Sequence, residues 1–245
     1  MLRHIVFATL ALTSGAALTP QPGRELIQAM RDRYIGQWYR TLTFVQQNTA
    51  TGPDGKVEHS VWREYAALPS RLRIEFEPAS QGKGYLFVRD SEYDFDADTL
   101  ARATPLVHPL MVLGFDVYLQ PVERTLTQLQ QLGVDLGTLR EDSLDGRAVY
   151  VVGARAGDLH SLQFWVDKER LLFVRMLQPG RRDTTLTADT RFNKYQRQGK
   201  AWVSAEVQFL VNGHERWLEQ YTEIKTDVPL ADALFDARQW KRLRR

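Results

Sequence analysis

The sequence contains no cysteine, so disulfides, thiolate metal sites and thiol nucleophiles are excluded together. Five histidines remain as candidate ligands or bases: His4, His59, His108, His160 and His214. They are scattered, and no pair has the i, i+4 spacing that sets two ligands on one helix face. They read as single surface or rim groups, with His108 singled out because an apolar segment follows it. Asp94-Phe95-Asp96-Ala97-Asp98 has the alternating acids of a calcium loop. It lacks the glycine such a loop needs at its sixth position, and Pro105 stands where the bidentate acid belongs, so a solvated strand end is expected. Gly157-Asp158-Leu159-His160-Ser161 is not a nucleophile elbow. Gly82-Lys83-Gly84 is too short for a phosphate loop. Glu206, Glu219 and Glu223 fall on strands with polar partners and read as outward-facing, so no glycosidase pair is nominated. The expectation is a protein without catalytic residues, metal or cofactor.

The elements that would position any site follow from periodicity. Residues 23–35 place Leu26, Ile27, Met30 and Tyr34 at helical spacing, and Gly36 is a stop signal. From Trp38 the period becomes two, with Leu42 and Phe44, and a turn at 51–55. A second strand is predicted over 57–68 and a third over 71–76. In the third, Leu72, Ile74 and Phe76 alternate with Arg71, Arg73 and Glu75. A hairpin follows over 85–89 and 92–95.

Residues 108–119 break the alternation: they are nearly all apolar, with a proline suited to a first helical turn. A second helix is predicted over 122–132, ended by Gly133. Strands resume at 139–142, 148–154, 161–166 and 171–177. Three longer strands, 184–196, 202–211 and 215–226, are joined by tight turns at 198–200 and 212–213. Residues 230–235 read as a last helical turn. About ten antiparallel strands in one α+β domain must twist and curl. Such a sheet has a concave face, and the central apolar segment is the element available to cover it.

Composition narrows the class further. Lys plus Arg number 32 and Asp plus Glu 30, a formal charge of +2. That balance gives no field to attract nucleic acid, and 43% hydrophobic residues argue against disorder. Residues 1–19 read as a signal peptide. Arg3 precedes the apolar run 5–12, and Ser14-Gly15-Ala16-Ala17 supplies small residues for cleavage before Pro20. The run is about half of the ~20 residues a spanning helix needs; an uncleaved anchor is the alternative. Residues 20–245 are then one periplasmic or secreted domain. Lys241, Arg242, Arg244 and Arg245 form a basic tail, expected to be solvated.

Several local patterns resemble the LolA/LolB superfamily of bacterial periplasmic carriers over residues 23 to about 240. They are the helix before the first strand, Trp62-Arg63-Glu64-Tyr65 running through Pro69 into Arg71-Leu72-Arg73-Ile74-Glu75, and Gly146-Arg147-Ala148-Val149-Tyr150 leading to Phe164-Trp165-Val166-Asp167. Asp232-Ala233-Leu234-Phe235-Asp236 closes the set. The resemblance implies an open half-barrel, plugged by helices, that accepts acyl chains.

Strand alternation supplies the expected lining: Leu72, Ile74, Phe76, Leu162, Phe164, Val166, Leu172, Val174 and Met176, with Val203, Ala205, Val207 and Phe209 from a later strand. Leu110, Met111, Leu113 and Phe115 are the expected lid. The alternative is that these side chains fill the core and leave no cavity. Expected partners are a lipid or acylated protein and membrane proteins that donate or accept it, with the chain acting as a monomer and no nucleic acid bound. An envelope sensor on the same scaffold, similar to RseB-type regulators, is the second reading, and a hydrolase with an unrecognised site the third.

Overall fold

The computed structural model describes residues 21–241. The leader expected at 1–19, His4 and the basic residues Arg242, Arg244 and Arg245 lie outside the described residues. Helix α1 (Pro22–Tyr34) is followed by six strands: β1 (Thr41–Thr51), β2 (Val57–Ala67), β3 (Arg71–Phe76), β4 (Gly84–Val88), β5 (Ser91–Asp96) and β6 (Thr99–Pro105). The central segment comprises α2 (Pro109–Gly114), a 3-10 turn (Asp116–Tyr118) and α3 (Val122–Leu132). Seven strands complete the chain: β7 (Leu139–Leu144), β8 (Arg147–Val152), β9 (Gln163–Asp167), β10 (Phe173–Pro179), β11 (Thr187–Gln198), β12 (Ala201–Val211) and β13 (His214–Thr226). Two short 3-10 turns, Asp232–Phe235 and Ala237–Gln239, end it.

All thirteen strands belong to one antiparallel sheet that does not close into a barrel. Its order is β6-β5-β4-β3-β2-β1-β13-β12-β11-β10-β9-β8-β7, so every neighbouring pair but one is consecutive in sequence. The exception is β1 with β13, which meet in the middle with Asn48 opposite Glu219 and Ala50 opposite Trp217. The two free edges, β6 and β7, are the two strands that the helical segment connects. The helices therefore bridge the open side of a half-barrel.

Thirteen strands exceed the overall figure of about ten, and twelve of them coincide with the segments that periodicity locates one by one. The element missed is β6, whose residues are almost all exposed and carry no apolar alternation. The central apolar segment is not one helix either. It breaks after Gly114, where Phe115 leaves helical geometry at φ −136°, and resumes as a 3-10 turn.

The concave side is unequally filled. Over β8 to β11 the helices pack directly on the sheet, burying Leu26, Ile27 and Met30 of α1 and Leu126 and Leu129 of α3 against Phe164, Val166, Phe173 and Met176. Burying each such side chain contributes roughly 1.5–3 kcal/mol. A knot of aromatic rings locks this half: Tyr118 stacks on Trp38 at 3.9 Å and meets Tyr34 edge-on at 5.3 Å. The Tyr118 hydroxyl also accepts the Phe173 N–H at 2.9 Å. Over β1 to β4 the helices stand off the sheet.

The convex side is covered in two places. Leu144, Val149, Val151, Trp165, Val174 and Leu177 form one patch, with the guanidinium of Arg175 4.6 Å above the Trp165 ring and paired to Asp189 at 2.8 Å. The second cover is the C-terminal segment, lying on β3 to β5. Arg73 and Glu75, which alternation assigns to the outer face, are 0% and 2% exposed there. Arg73 Nε donates to Glu75 at 2.6 Å, and its two terminal nitrogens donate to the carbonyls of Leu234 (3.1 Å) and Trp240 (2.9 Å). The Trp240 ring stacks on Phe95 at 4.2 Å and lies beneath the same guanidinium at 4.0 Å. Gly84 makes this seat possible, since a Cβ there would sit 2.8 Å from the Trp240 ring and 2.0 Å from the Ile74 carbonyl oxygen.

Candidate functional site

Where the helices stand off, a cavity of about 230 Å³ lies between α2 and strands β1 to β4, β12 and β13. For scale, a dry cavity of ~150 Å³ accepts a benzene-sized guest. Each wall follows from period-two alternation on one strand. β1 contributes Leu42, Phe44 and Gln46; β2, Trp62, Glu64 and Ala66; β3, Leu72 and Ile74; β4, Tyr85 and Phe87. Val207 and Phe209 come from β12, Glu219 and Tyr221 from β13, and Phe192 from β11. His108, Leu110, Met111 and Phe115 form the roof. Of the twenty lining residues, sixteen are aliphatic, aromatic or Met. Such a wall selects an organic ligand rather than a free ion.

The residues expected to form the cup divide among five places. Leu72, Ile74, Val207, Phe209, Leu110, Met111 and Phe115 line the cavity. Leu162, Phe164, Met176 and Leu113 instead surround a crevice of about 40 Å³ under Pro109 and α3. Val166, Leu172 and Val203 are buried in the filled half of the core, and Ala205 is also buried. Phe76 packs beside the cavity, stacked on Trp62 at 4.5 Å. Val174 lies in the convex patch with Trp165, away from the helices. A β-bulge explains its position: the β9–β10 register shifts between Phe173 and Arg175, so Val174 drops out of the alternation that held Leu172 and Met176 together.

The reading of Glu219 as outward-facing is corrected: its carboxylate is on the concave side, accepting the Tyr221 hydroxyl at 2.6 Å and Trp217 Nε1 at 3.1 Å. Glu64, opposite Phe44 on β2, also lines the cavity and is 5% exposed. Both carboxyls were legible from their neighbours. Glu219 sits two residues from Trp217 and from Tyr221, Glu64 two from Trp62 and from Ala66, and residues at i±2 share a face. Desolvation holds the Glu64 carboxyl well above the usual range, with the Glu219 charge adding to it. Glu219 is raised to about 7, burial outweighing the hydrogen bonds that oppose it.

His108 serves the roof structurally. Its Nδ1 accepts the Met111 N–H at 3.3 Å as the N-cap of α2, and its ring meets Phe87 edge-on at 4.8 Å. Burial pushes it down to about 4, so it is neutral at physiological pH. Asp116, behind the roof, accepts the Ser70 N–H at 3.0 Å and ties the helical segment to the β2–β3 turn. Its burial, opposed by the Ser70 bonds, raises it to about 7. Asp94 and Asp96 stand on β5, and Asp98 in the turn to β6. His59, His160 and His214 lie outside the cavity lining.

An open antiparallel half-barrel, its mouth bridged by helices over an apolar cavity, defines a class of folds. Specifically, this is the LolA-like fold. The chain is similar to a DUF1329 family protein from Desulfovibrio piger (16% identity, 89% of this chain and 98% of that one, TM-score 0.58). It is also similar to a domain described as an outer membrane lipoprotein-sorting protein from Vibrio parahaemolyticus (13%, 90% and 98%, 0.59). A LolA superfamily protein from Nitrosomonas europaea matches too (12%, 86% and 97%, 0.54). No family model matches the sequence, and neither does any curated protein. At these identities the likeness is one of fold.

Proposed function

We propose that this protein is a non-enzymatic periplasmic carrier that holds the apolar part of a lipid or acylated protein between the sheet and α2. The observation that carries the reading is the cavity, whose wall is aromatic and aliphatic on every strand that contributes to it. Each methylene taken from water into such a wall contributes about 0.8 kcal/mol, so a chain is held without catalysis or a specific polar contact. About 230 Å³ suits one short chain or ring system. Cargo with several acyl chains needs α2 displaced, and exchange with a donor or acceptor in the membrane then runs at the rate of that displacement. The leader read at 1–19 supports a periplasmic location. Among the described residues no helix is long and apolar enough to cross a membrane.

Native mass spectrometry of the protein purified from a bacterial periplasm, followed by lipid extraction, tests the reading. A bound lipid is expected in the wild type and is expected to be lost in Leu110→Asp and Phe209→Asp, whose positions are only partly buried, so that the variants are expected to fold. A bare protein mass, with no uptake of added phospholipid or acylated peptide, would sink it.

The exposed edge strand β6 favours a second reading, an interaction domain that adds a partner's extended peptide to the sheet. Pro105 blocks only one end of that edge. Co-purification of a peptide protecting the β6 amides from exchange, in a lipid-free protein, would put this reading first.

A further inference from the structure

A cavity built for hydrocarbon alone has no use for a carboxyl group, yet this one contains two. Glu64 is 5% exposed, and its carboxylate makes no hydrogen bond among the described residues. Glu219 is different: Tyr221 and Trp217 both donate to it. Among the described residues no Lys or Arg lines the cavity. The titratable groups that face Glu64 are Glu219 and Tyr221 from β13, Tyr85 from β4 and His108 from the roof. The β1, β3 and β12 walls present none. The wall that the described residues form is thus neutral or negative at physiological pH.

Three kinds of amphiphile can be compared on that wall. A fatty acid brings a carboxylate into a low-dielectric space whose described lining offers it no cation, and an unpaired buried charge is costly. A hydrocarbon leaves Glu64 without a partner, and a buried polar group without one is costly; a neutral ester or alcohol offers it only a neutral hydrogen bond. An ammonium group supplies both the donors and the charge that Glu64 lacks. Aromatic faces add to this: Phe44 stacks with Tyr221 at 4.2 Å, and Trp62 with Phe76 at 4.5 Å, beside the same carboxyl. Cations are attracted to such ring faces within about 6 Å.

We infer that the cavity takes an amphiphile with an ammonium group, held by Glu64 as its counter-ion while the apolar chain lies against Phe44, Trp62 and Phe209. The inference rests on the carrier reading and names the head-group chemistry that reading leaves open. Binding has a proton signature: burial favours the protonated form of Glu64 in the empty cavity, an ammonium favours its carboxylate, and the proton released on binding leaves to solvent.

Dodecylamine, 1-dodecanol and dodecanoic acid, each below its micellar concentration, are titrated into the delipidated protein at pH 7 by calorimetry in two buffers of different ionisation enthalpy. The amine is expected to bind at least about tenfold more tightly than the acid, since it gains a charge-assisted bond where the acid's carboxylate meets no cation. Its heat is expected to depend on the buffer, through proton release, while that of the alcohol does not. Glu64→Gln, which keeps the side-chain volume, is expected to bring the amine and the acid within a few-fold and to abolish the buffer dependence. Comparable binding of all three probes, or an amine preference surviving in Glu64→Gln, overturns the inference and leaves the carrier reading standing. Uptake of none of the three overturns the carrier reading and this inference with it.

Discussion

Individual side chains set how the protein responds to pH. Asp116 is 1% exposed and raised to about 7 from an ordinary 3.8, so the folded state holds its proton more tightly than the unfolded chain does. Stability from this group is complete below about pH 4 and is lost as the pH climbs from there through 7. At about 1.4 kcal/mol per unit, the span amounts to a few kcal/mol at most. Asp116→Asn keeps an acceptor for the Ser70 N–H and removes the ionisation. Urea unfolding should therefore show the variant gaining on the wild type between pH 4.5 and pH 8, by roughly 1–3 kcal/mol. A difference constant over that range would show that Asp116 does not titrate there.

On the convex side, Arg73→Ala strands the Glu75 carboxylate beneath Trp240, with an expected loss of about 3–5 kcal/mol. Replacing both, Arg73→Met with Glu75→Leu, is expected to recover most of that loss in the same denaturation assay, because the cost lies in the unpaired charge. Both carboxyls of the cavity could have been read from aromatic or apolar neighbours at i±2. The burial of Arg73 could not, since its cover arrives from more than 160 residues away.

Elements were more legible than faces. Period-two alternation located twelve of the thirteen strands, and α3 has the limits that Pro121 and Gly133 dictate. Alternation tells which residues share a side, but not what lies over that side. Leu162, Phe164 and Met176 satisfied the pattern as well as Leu72 and Ile74 did, yet α1 and α3 fill the space above the former group. The bulge at Val174 has no signature in the one-letter string.

The roof element itself is seated closely. A Cβ on Gly114 would lie 2.9 Å from Phe192, a ring that lines the cavity. Gly114→Val should lift the end of α2, cost about 1–3 kcal/mol by overpacking, and speed amide exchange over residues 109–119. It should also shorten the residence time of a bound acyl probe in stopped-flow displacement. Faster exchange with an unchanged residence time would show that ligand leaves by another route than under α2.

At the scale of the molecule, the order of strands carries the most. The two outermost strands are joined to each other by the helical segment, while the two halves of the sheet are sewn together at the centre by β1 and β13. The helical segment is therefore the bowstring and the sheet is the bow. Slackening the string by displacing α2 lets the outer strands spread. Pulling it tight bends them inward. Under the carrier proposal, the size of the guest and the curvature of the sheet become a single variable: bulkier cargo is expected to flatten the bow rather than deepen a pit. On the same proposal, a small guest is expected to be gripped by the recoil of the whole sheet, through strands that never touch it.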